Sequence, residues 1–92
     1  MELPADQLAR LAGTYKDPES GYEVRIQPEG NRLRAFEVAE ESVMLLVPTS
    51  PTRFRIEGVQ YTATFQLSEG RATALIMEAP GMPTYTLKRE GS

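Results

Sequence analysis

The chain contains no histidine, no cysteine and no tryptophan among its 92 residues. The commonest general bases, thiol nucleophiles and soft metal ligands are therefore missing. The lack of cysteine excludes a small disulfide-stapled scaffold, and leaves redox chemistry silent about compartment. Lysine is almost as scarce: Lys16 and Lys88 are the only two, and arginine supplies the other eight of ten basic residues. Gly13 and Tyr85 stand three residues before those lysines, so the S-x-x-K pairing of serine hydrolases does not occur. Neither does a G-x-S-x-G, a P-loop or a G-x-G-x-x-G. The longest apolar run is Val43-Met44-Leu45-Leu46-Val47, far short of the ~20 residues a membrane helix needs. Met1-Glu2-Leu3-Pro4 is acidic and lacks the apolar stretch of a signal peptide. A net charge of −3, with the arginines interleaved among acids, argues against a nucleic-acid partner.

What is there has the composition of a folded domain: 40% hydrophobic and 25% charged residues. The length fits a single domain over residues 1–92, one that buries roughly 60–68% of its unfolded surface. Residues 3–11 are the one helical stretch. Pro4 suits a first helical position, Asp6 the first turn and Arg10 the last, and Gly13 can stop it. Leu8 and Leu11 share a face, so this lead-in, residues 1–12, is expected to dock on the strands beyond it.

From residue 13 the period changes to two. Tyr22, Val24 and Ile26 alternate with Glu23, Arg25 and Gln27; Tyr61, Ala63, Phe65 and Leu67 alternate with Gln60, Thr62, Thr64 and Gln66. Pro, Gly, Asn and Ser punctuate the runs. Eight strands result, near residues 13–16, 22–27, 32–38, 43–47, 53–56, 60–67, 72–79 and 84–89. The turn at 28–31 is expected to use Pro28 to fix φ and Gly30 and Asn31 to accept positive φ. The alternation slips at Ala35-Phe36, where a bulge is expected. Loops of two to six residues permit only antiparallel neighbours. Eight such strands predict an all-β, up-and-down barrel over residues 13–90, closed so that no edge is left exposed.

Few residues invite chemistry. Glu37, Glu40 and Glu41 cluster, as do Asp17 and Glu19, but acids in turns are chiefly solvated, and no oxygen-rich calcium loop is present. Arg53 and Arg55 share one face of their strand, with Phe54 and Ile56 opposite. Outward, they solubilise beside Glu23, Glu37 and Glu57; at the barrel rim they would grip a carboxylate or phosphate. Tyr22, Tyr61 and Tyr85 fall on apolar faces, as rim-anchored core or as the wall of a ligand cup. Val43, Met44, Leu45, Leu46 and Val47 are apolar on both faces. One set is expected outside the core, under the helix or at a partner interface. No catalytic residue, cofactor site or metal site is read from the sequence.

The order Leu8-Ala9-Arg10-Leu11-Ala12-Gly13-Thr14-Tyr15, Asn31-Arg32-Leu33, Leu46-Val47-Pro48-Thr49-Ser50-Pro51-Thr52-Arg53-Phe54, Thr64-Phe65 and Gly70-Arg71-Ala72 is nevertheless distinctive. It resembles the lipocalin-like barrel appended C-terminally to many serine β-lactamase-like and penicillin-binding-protein-like hydrolases. The resemblance spans nearly the whole chain and rests on structural signatures. It implies a non-catalytic accessory domain that packs on its own or a cognate hydrolase domain, covers the cleft, or assembles subunits as a homo-oligomer. The helix would then be the segment leading out of the catalytic domain. The rival expectation is a barrel that binds a small molecule at its mouth, with an interior cavity of a few hundred Å³.

Overall fold

In a computed structural model that describes residues 2–90, one short helix precedes eight strands. Helix α1 (Ala5–Leu11) starts after Pro4, whose extended backbone (φ −58°, ψ 149°) makes it the N-cap, not the first helical residue. No side chain of the described residues caps this end; the Pro4 carbonyl accepts from the amides of Gln7 at 3.0 Å and Leu8 at 3.2 Å. Seven residues cannot sustain a helix alone. Leu8 and Leu11 hold it by entering the core, and the Tyr15 hydroxyl donates to the Leu11 carbonyl at 2.7 Å.

Ala12 is already extended (φ −66°, ψ 147°), so Gly13 begins strand β1 (Gly13–Lys16) instead of ending the helix. Gly13 has a φ of 149°, and a Cβ there would lie 2.7 Å from Nε of Arg89. That guanidinium donates through Nη2 to the Ala12 carbonyl at 2.8 Å, so the missing side chain lets the last strand grip the helix exit.

The remaining strands are β2 (Glu23–Glu29), β3 (Arg32–Glu37), β4 (Ser42–Pro48), β5 (Arg53–Ile56), β6 (Thr62–Ser68), β7 (Arg71–Glu78) and β8 (Tyr85–Arg89). They form a closed antiparallel barrel in chain order. Tyr15 opposite Arg89 and Lys16 opposite Lys88 close it. The predicted all-β, eight-stranded up-and-down architecture with a short N-terminal helix is what the chain adopts.

Inward positions of the strands supply the core: among them Val24, Ile26, Leu33, Leu46, Phe54, Ile56, Leu75 and Leu87, all essentially inaccessible. Phe65 sits between Tyr15 and Phe54, meeting each ring edge-on at centroid distances of 5.6 and 5.5 Å. Side chains thus fill the middle of the barrel, as expected at this strand number. Because the helix precedes β1 and packs chiefly on β2 and β7, it closes the end that carries the Gly30–Asn31 and Glu69–Gly70 turns. The other end stays open.

Further local expectations are corrected. Strand β2 runs through Pro28 and Glu29, so the turn is only Gly30 and Asn31, with positive φ at Gly30 (61°) and not at Asn31. That is the pattern of a II′ hairpin. Pro28 is tolerated because β1 pairs with β2 only as far as Ile26; beyond it β2 is an edge, where no ladder amide is needed on that side. No bulge occurs at Ala35-Phe36, where both ladders run unbroken. Phe36 simply points outward, opposite Arg25 and Val43. The register shift lies instead between Gln66 and Leu67 in the β6–β7 ladder, with Thr73 as the extra residue. Leu67, expected in the core, is 46% exposed at the barrel end.

Candidate functional site

The open end of the barrel holds a cavity of about 560 Å³. Strand parity builds much of its wall. Leu33, Ala35 and Glu37 alternate inward along β3, so Glu37 is the inward residue where β3 leaves the barrel. Met44 of β4, Met77 of β7 and Tyr85 of β8 reach the same rim by the same alternation. Loops supply the rest: Ser20 and Tyr22 from the β1–β2 connection, Val59 and Tyr61 from the β5–β6 connection.

The β1–β2 loop is ordered by its own side chains. Asp17 accepts from the Glu19 amide through Oδ1 and from the Ser20 hydroxyl through Oδ2, both at 2.9 Å. The Glu19 amide, foremost, and the Ser20 hydroxyl hold its carboxyl below the ordinary value. Gly21 reverses the chain at φ 80°, the Ser20 oxygen accepts from the Tyr22 amide at 3.2 Å, and Tyr22 is delivered to the mouth. There its hydroxyl donates to Oε2 of Glu37 at 2.5 Å, while the Ser42 hydroxyl donates to Oε1 at 3.0 Å. Burial first, then the hydrogen bond to Glu37 and its negative charge, raise the Tyr22 pKa well above that of free tyrosine.

Among the described residues, Glu37 is the one charged residue of the cavity wall. Among the described residues it has no lysine or arginine within ion-pair distance; the ion pairs formed there are Arg25 with Glu23 (3.2 Å) and Arg32 with Glu57 (3.1 Å). A carboxylate in an apolar, aromatic-walled recess can hold a donor or a cation.

The residues singled out from the sequence separate cleanly. Tyr22, Tyr61 and Tyr85 come together at the mouth. Arg53 and Arg55 do not join them: both are exposed on the outer wall, with Phe54 and Ile56 in the core. The 43–47 run is not one surface. Leu46 is core and Met44 lines the cavity, while Val43, Leu45 and Val47 face outward, away from the helix. Leu45 lies opposite Arg34 and Val47 opposite Arg55 in the ladders, and both are half-buried. Glu40 and Glu41 are exposed in the β3–β4 turn, so the acidic cluster is split, with Glu37 alone turned inward. No group of three metal-ligating side chains occurs among the described residues, and none of their helices is long and apolar enough to cross a membrane.

Sequence reasoning missed Ser20, Val59 and Met77 as wall residues. Met77 was within reach, since it continues the inward parity of Leu75. A second depression, about 350 Å³ and more open, lies between Ala12–Thr14 and Arg25–Gln27, where the one charge, Arg25, is already paired with Glu23. No protein-family model, curated protein or solved structure matches the chain.

Proposed function

We propose that this chain is a non-catalytic binding barrel whose mouth receives a small, mostly apolar molecule. The cavity at the open end carries this reading: about 560 Å³, inside the range of roughly 300–1,000 Å³ typical of ligand sites. Its walls are mainly tyrosine, methionine and valine, with a few polar groups to fix orientation. The sequence's want of histidine and cysteine supports the non-catalytic half. The outer faces of β2 and β5 carry charged or polar residues at alternate positions around an apolar interior, the reverse of a lipid-facing barrel, and this supports a binding site reached from water. Native mass spectrometry on protein purified from its source tests the reading. A retained small molecule is expected, and Met77→Trp, which fills the mouth, abolishes retention; a chain that carries nothing and takes up no apolar probe contradicts it.

A second reading, an accessory barrel docked on a serine β-lactamase-like hydrolase, draws support from the resemblance in sequence. It also draws support from the outward Val43, Leu45 and Val47 beside Phe36. A natural reading frame that joins this chain to an S-x-x-K hydrolase segment is its expected result. Association with that segment that survives Leu45→Lys would count against the outer stripe as the docking face.

A further inference from the structure

We infer that the ligand of the barrel mouth is an organic cation, an ammonium group borne on an apolar body. This rests on the mouth being a ligand site, and it names the ligand's chemistry.

Three observations converge. First, Glu37 projects into the cavity from an inward strand position, where every other inward β3 residue is apolar and buried. A partly buried carboxylate without a counter-charge is costly, and this one has no basic partner among the described residues. Secondly, its oxygens are held but not saturated. Tyr22 and Ser42 supply one hydrogen bond to each oxygen. A carboxylate has about four acceptor sites, so the remainder are open to a donor. The Tyr22 and Ser42 contacts fix the carboxylate's orientation before any ligand arrives, which lowers the ordering cost of binding. Thirdly, the surrounding wall suits the rest of such a molecule. Tyr22, Tyr61 and Tyr85 line the cavity, and aromatic rings attract cations, most strongly where water is excluded. Met44 and Met77 offer an adaptable apolar floor. The chain's net charge of −3 favours the approach of a cation and disfavours that of an anion.

Calorimetric titration with a matched set of probes, n-octylammonium, n-octanol and octanoate, tests this on the intact chain. Octylammonium should bind about tenfold or more tightly than octanol, the factor that a partly desolvated charge and ring contacts supply together. Octanoate should bind weakest. Glu37→Gln, which keeps an oxygen for Tyr22 or Ser42, should bring octylammonium down towards the level of octanol, with octanol, which loses no charge contact, changed far less. Tyr85→Ala, at a rim position 48% exposed that the barrel does not need for its core, should weaken octylammonium several-fold with folding intact. Equal binding of octanol and octylammonium, or an unchanged ratio in Glu37→Gln, overturns the cation and leaves the mouth reading standing. Binding of none of the three overturns both.

Discussion

Tyr15 ties the helix to the barrel through a single hydroxyl. Its ring is inaccessible against Phe65, and its oxygen reaches the Leu11 carbonyl at 2.7 Å. Tyr15→Phe keeps the ring and strands that carbonyl, so a loss of about 1–3 kcal/mol in urea unfolding is expected. Burial pushes the Tyr15 pKa up to about 12 from 10.0, with the positive Arg89 acting weakly the other way. A phenol whose folded pKa is raised contributes stability that is fully present below the unfolded value. That contribution is lost as pH climbs through the folded one. The urea midpoint should therefore stay level to about pH 10 and fall towards pH 12. The fall should be shallower in Tyr15→Phe, the remainder being due to Tyr22, whose pKa is raised as well. A midpoint that falls equally in both proteins would remove Tyr15 from this role.

The strands were legible because most repeat with period two between turn residues, and because loops this short leave no room for a parallel crossover. What escaped sequence reasoning was the outer environment of single positions. Phe36 breaks the alternation without a bulge because Val43 and Arg25 flank it on the outside. Pro28 sits in a strand because β1 has already ended beside it. The helix was legible as a helix from Pro4, Asp6 and Arg10. Its place was not, since nothing in Leu8 or Leu11 says which opening they close. That docking is testable: Leu8→Ala removes a fully buried side chain from the plug and should cost about 2–5 kcal/mol in chemical denaturation. A cost near zero would mean the helix is not part of the cooperative fold.

Closing one end of the barrel concentrates the unsatisfied inward positions at the other. Strand β4 illustrates it: Leu46 packs in the middle of the barrel, while Met44, two residues nearer the mouth, lines a cavity. The tyrosine cup was legible from parity, since Tyr22, Tyr61 and Tyr85 each extend an inward series. The role of Glu37 was not, because in sequence it is one acid among three near a turn, and only the barrel separates it from Glu40 and Glu41. Arg53 and Arg55 fail as rim residues for the converse reason: their strand is so short that Phe54 and Ile56 fix its whole orientation. The proposed working surface of the molecule is therefore its mouth and not its outer wall. Amide chemical-shift mapping of the isotope-labelled protein, titrated with n-octanol, tests this most directly. Shifts confined to Tyr22, Glu37, Met44, Tyr61, Met77 and Tyr85 and their immediate neighbours are predicted, with Leu8 and Leu11 unmoved. Shifts centred on the helix end or on the outward Val43, Leu45 and Val47, or no shifts as the alcohol approaches saturation, would contradict it.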